Sequence, residues 1–165
     1  QLHGRVPDVL LTNEGGRYIA TTDHGATDID GGGHGDMGAP LDYDGDGWLD
    51  ILSGSDDHGH WNLFKNQGGD NHSITFRVGG SPEGTDPHGA EVFVSANTVT
   101  ETLFRRVGSS GAVHSQGLNN LVHFGLGEHN SAVSVRVRWR TGEEAVLDNL
   151  PVDETHDVGT TSLLP

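Results

Sequence analysis

Asp42, Asp44, Asp46 and Asp50 carry the most specific chemistry in the chain. They stand in Asp42-Tyr43-Asp44-Gly45-Asp46-Gly47-Trp48-Leu49-Asp50, with carboxylates at relative positions 1, 3, 5 and 9 and glycine at 6. That spacing follows the opening of an EF-hand calcium loop. A hard cation takes six to eight oxygens at roughly 2.3–2.6 Å, and a tightly curled backbone turns alternate side chains toward it. Gly47 permits the sharp turn, and the main-chain carbonyl of Trp48 would supply position 7. Four clustered carboxylates repel one another, so Ca2+ would be needed for folding as well as bound by it. Magnesium dehydrates reluctantly and seldom fills an all-protein cage, so calcium is the expected ion. The bland alternative is a solvated acidic turn. A complete EF-hand is not expected. Position 12 is Ser53 instead of a bidentate Glu, and Trp48-Leu49-Asp50-Ile51-Leu52 reads as a strand leaving the loop.

Other constellations are weaker. His58-Gly59-His60 beside Asp56 and Asp57 has the spacing of a zinc or copper pair, but a solvated loop explains it as well. His24 and His34 flank Asp28-Ile29-Asp30, a candidate second calcium site, whereas His72 and His123 read as structural hydrogen-bonding groups. Ser109, Ser110 and Ser115 lie near His114, yet no serine occupies a G-x-S-x-G elbow and no H-E-x-x-H occurs. Paired aspartates for glycoside hydrolysis remain open, but calcium explains the best-placed ones better. No catalytic residue is expected, and a hydrolase is the outsider. Gly31-Gly32-Gly33 lacks the strand-then-helix context of a phosphate cradle.

The elements that must hold these residues are strands. Glycine is 26 of 165 residues and interrupts almost every helical period, so the chain reads as all-β. Val133-Ser134-Val135-Arg136-Val137-Arg138-Trp139-Arg140 alternates most clearly, with the valines and Trp139 on one face. Arg136, Arg138 and Arg140 form a basic stripe on the other, with Arg105-Arg106 expected nearby. They either pair with the chain's own carboxylates or dock an acidic partner. Ile74, Phe76 and Val78 alternate likewise, and further strands are expected at 9–13, 17–22, 48–53, 61–66, 92–96, 102–107, 120–124 and 144–147. Leu10-Leu11-Thr12-Asn13-Glu14-Gly15-Gly16 returns as Leu63-Phe64-Lys65-Asn66-Gln67-Gly68-Gly69, a period that suits one propeller blade.

Charge sets the boundary and limits the partners. Residues 1–72 carry three basic and thirteen acidic side chains, and residues 73–165 carry six and eleven. The division is placed in the polar stretch around Gly68–His72, giving a unit at 1–70 and a second at 71–165. A net charge of −15 argues against nucleic acid and anionic membrane, and no apolar run is long enough to span a bilayer. There is no cysteine, so disulfides and thiolate metal sites are excluded. The sequence opens at Gln1 without a basic and apolar leader, which leads us to expect either a removed targeting segment or excision from a longer chain.

The loop, with Gly35-Asp36-Met37-Gly38-Ala39 before it and Trp61-Asn62-Leu63-Phe64-Lys65-Asn66 after it, resembles an FG-GAP/VCBS repeat. The second part resembles the ASPIC/UnbV domain that follows such repeats in cartilage acidic protein and many bacterial secreted proteins. Its matching pieces are Asn71-His72, Gly89-Ala90-Glu91-Val92, Ser115-Gln116, His123-Phe124-Gly125-Leu126-Gly127, Val137-Arg138-Trp139, Gly142 and Asn149. Arg140 departs from the proline usual after the tryptophan, and about one blade stands where relatives carry many. The resemblance implies a calcium-stabilised blade unit on a β-sandwich, located outside the cell and serving adhesion or assembly.

The expected function is therefore a non-catalytic extracellular calcium-binding module that mediates adhesion or self-assembly, its partner another copy or another extracellular protein. A carbohydrate-binding module is the alternative, with Trp48, Trp61 and Tyr43 as its platform. A single blade leaves Leu10, Leu63 and Phe64 without neighbours, and the uncharged Thr160–Leu164 segment could add a strand to another copy, giving a ring or filament.

Overall fold

The computed structural model describes residues 9–21, 24–26, 37–54, 61–96, 102–108 and 119–160. Among these the chain is all-β, as its alternation requires: twelve strands, no helix, and thus no helix able to cross a membrane. It divides into two compact units, Gln1–Gly45 with Leu49–Gln67, and Asp46–Trp48 with Gly68–Pro165.

Among the described residues the first unit holds two antiparallel sheets. β1 (Leu10–Glu14) and β2 (Arg17–Thr21) form an antiparallel hairpin, closed by Asn13 Oδ1 accepting the Gly16 N–H at 2.9 Å. β3 (Met37–Leu41), β4 (Asp50–Gly54) and β5 (Trp61–Phe64) form a three-stranded antiparallel sheet with β4 at its centre. All of β1 is exposed, and Leu10, Leu11, Tyr18 and Ile19 lie open to solvent. The seven-residue repeat is not a structural one. Its first copy turns a hairpin at Gly15-Gly16, whereas its second leaves β5 as irregular chain.

In the second unit β6 (His72–Val78), β9 (Leu121–Gly127) and β12 (Thr155–Val158) form one sheet, in which β12 runs parallel to β6. β7 (Glu91–Ala96), β8 (Leu103–Arg106), β10 (Val133–Arg138) and β11 (Glu144–Leu150) form the other, in the order β11-β10-β7-β8. Inward residues of both sheets make one core. Ile74, Phe76 and Val78 meet Val122 and Phe124 from the first sheet, with Phe76 and Phe124 edge to face at 6.0 Å. Val92, Val94, Val133, Val135 and Val137 come from the second. Trp139 follows β10 into the core at 1% exposure and donates its indole N–H to the Gly79 carbonyl at 3.1 Å. The alternation read for this strand holds, because one face is buried and Arg136, Arg138 and Arg140 are exposed.

Candidate metal centre

The acidic loop joins β3 to β4, and Leu41 pairs with Asp50 at its base. Two glycines shape it. Gly45 and Gly47 adopt φ of 76° and 86°, a region that side chains rarely enter. Each carboxylate then organises backbone. Asp42 Oδ1 accepts the Gly45 N–H at 2.8 Å, and Asp46 Oδ1 accepts the Trp48 N–H at 2.9 Å. Asp50 is only 1% exposed. Its two oxygens accept the Tyr43 N–H at 3.1 Å and the Asn66 N–H at 2.8 Å, while the Asn66 side chain donates to the Leu49 carbonyl at 3.1 Å. A buried carboxylate is tolerated when such donors meet it.

Asp42, Asp44 and Asp50 come together, with one oxygen of each lying within 4.8 Å of the others. The structure thus groups three of the four carboxylates read from the spacing. Asp46 is outside that group and caps the turn toward Trp48. Asp46, Gly47 and Trp48 belong to the second unit, where the Gly47 carbonyl accepts from Ser73 Oγ at 3.0 Å and lies 3.1 Å from His123 Nε2. The Trp48 indole lies across Gly68 and Gly69. Lys65, which sequence reasoning did not assign, ion-pairs with Asp44 and lies 5.9 Å from the Tyr43 ring centroid. The donor set is all carboxylate oxygen, and that suits a hard divalent cation.

The remaining sites sort themselves. His24 Nδ1 accepts the Ala26 N–H at 3.2 Å. Asp28, Asp30, His34, Gly31–Gly33, Asp56–His60, Ser109, Ser110, His114 and Ser115 lie outside the described residues. His72 is structural, its Nδ1 lying 2.7 Å from Asp153 Oδ2. Asp153 also exchanges backbone bonds with Ser73, its N–H donating to the Ser73 carbonyl and its Oδ1 accepting the Ser73 N–H. It adopts φ of 60° to do so. The His72 hydrogen bond, followed by that of the Ser73 N–H, holds the Asp153 carboxyl below its ordinary range. No local pattern marked Asp153 as a clamp.

The arginine stripe is largely paired within the chain. Arg136 meets Glu144, and Arg138 and Arg106 share Glu91. Hydrogen bonds from Arg138 and then Arg106 lower the Glu91 carboxyl, and Glu91 in turn raises the Arg138 guanidinium. Arg136 also stacks over the Phe93 ring at 4.4 Å. Arg140 forms no ion pair among the described residues. A family model described as ASPIC and UnbV matches residues 80–162, just over half of the chain. The chain belongs to the ASPIC and UnbV family. Its matched region begins at Gly80 and runs through β7 to β12, so the ASPIC/UnbV segment supplies most of the sandwich core. The acidic loop precedes that segment. No curated protein matches the chain.

Proposed function

We propose that the chain is a non-catalytic, calcium-stabilised extracellular module that serves adhesion or self-assembly, its first unit being related to FG-GAP/VCBS repeats. The observation that supports this most is the convergence of Asp42, Asp44 and Asp50 on a loop turned by Gly45 and Gly47. Those three residues would hold the ion. Calcium would neutralise the clustered charge and tie the β3–β4 connection to Asp50. Lys65 answers part of that charge and would have to release Asp44.

The assembly part of the reading rests on the exposed apolar hairpin. Leu11 is 56% and Tyr18 71% exposed, and a two-stranded hairpin is marginal in water unless another surface covers it. The expected donor segment enters less well. Thr160 already bridges to Gly80 of its own chain, and residues 161–165 lie outside the described ones. Light scattering in millimolar calcium, on the parent and on a Leu11→Ser, Tyr18→Ser double variant, tests assembly. A concentration-dependent mass lost in the variant supports it, and a strictly monomeric parent contradicts it.

A further inference from the structure

On the sandwich unit lies a cleft of about 530 Å3 lined by Gly89, Glu91, Arg106, Arg138, Trp139, Arg140 and Gly142. Three guanidiniums and one carboxylate in a single concavity form a positive site on a chain of net charge −15. Strand register builds it. Arg138 of β10 faces Glu91 of β7, and Glu91 faces Arg106 of β8, so the three stand in one row across the sheet. Glu91 already shows what the row binds, since it accepts from both Arg138 and Arg106. Arg140 is held differently. Its aliphatic stem lies on Gly89, where a Cβ would come within 3.0 Å of Arg140 Cδ, and Gly89 also needs its φ of 82°. Asp86 is close enough to feel the Arg140 charge, but the two form no ion pair.

We propose that this cleft binds a sugar acid, a hexuronate ring or short oligouronate whose carboxylate is received by Arg140. A guanidinium matches a carboxylate in a planar two-point fork. The volume suits a ligand of one or two rings. The carboxylate of Glu91 discriminates between ligand classes. Beside the arginines it accepts hydrogen bonds from hydroxyls, which a uronate carries next to its carboxylate. A run of acidic side chains brings carboxylates without neighbouring hydroxyls, and so gives Glu91 no donor to accept from.

Isothermal titration of the full chain with a di-uronate, its neutral carboxamide counterpart and a glutamate-rich decapeptide tests this assignment, run both in millimolar calcium and in chelator so that calcium bridging and loss of the loop's ion are told apart. The di-uronate is expected to bind, and more tightly at low salt. Arg140→Gln should weaken it roughly tenfold, since a charge-assisted fork is lost. Arg77→Gln, an exposed arginine paired with Asp157 on the other sheet, should leave it unchanged. Both variants should melt like the parent, because both positions are exposed. No di-uronate binding, binding insensitive to Arg140→Gln, or equal binding of the carboxamide would overturn the proposal, and so would preference for the decapeptide.

Discussion

The two units are stabilised by different means. Among the described residues every apolar residue in the buried core belongs to the second unit, from Ile74 to Val158. In the first unit the one fully buried large side chain among the described residues is a carboxylate, Asp50. The sandwich gains its stability from apolar area removed from water and from close packing. The described part of the first unit depends instead on satisfied hydrogen bonds around the Asp50 carboxylate, so single polar substitutions there should matter more than apolar ones.

The largest expected effect follows from the core. Trp139→Ala should cost about 3–5 kcal/mol in urea unfolding, the range for large aromatic truncations. Arg138→Ala, one residue away on the exposed face, should stay within the small scatter of surface substitutions. Equal losses at the two positions would break the contrast between the faces of β10.

Asp50→Ala should come next, at about 2 kcal/mol, because it leaves two backbone N–H groups without their acceptor. The Tyr43 and Asn66 amides should then exchange faster in chelator as well as in calcium. Unchanged exchange at both amides would mean that Asp50 acts only as an ion ligand.

The smallest effect separates charge from burial within the sandwich. The Asp153 carboxyl is lowered in the folded chain from an ordinary value of 3.8. Its contribution is therefore present above about pH 4 and is lost as pH falls through the depressed folded value. Asp153→Asn tolerates the same positive φ but cannot ionise, so its melting temperature should fall less steeply below pH 4 than the parent's. Parallel acid limbs would show that the His72–Asp153 pair contributes nothing measurable.

Legibility in the sequence divides along the same line. β6 and β10 were readable because one buried face imposes a period of two on Ile74-Phe76-Val78 and on Val133-Val135-Val137-Trp139. β3 escaped because Gly38 and Pro40 read as breakers, although proline is tolerated there on an edge strand. β12 escaped because it is four residues long and pairs in parallel with β6, about eighty residues away, which no local pattern encodes. At the candidate metal centre, spacing brought out Asp42, Asp44 and Asp50. It did not show that Asp46 turns to cap Trp48, or that Lys65 meets Asp44 from β5's far end, since both depend on how the chain folds back. The cleft was half legible. The arginine stripe was visible along β10, but the row through Glu91 to Arg106 exists only across strands.

Thermal melting in chelator and in millimolar calcium, on the parent and on Asp44→Ala, tests the calcium reading most directly. An ion that binds only the folded chain adds RT ln(1 + [L]/Kd) to its stability. The parent should melt several degrees higher in calcium, and Asp44→Ala should show no such difference. Identical melting of the parent in chelator and in calcium would contradict the account.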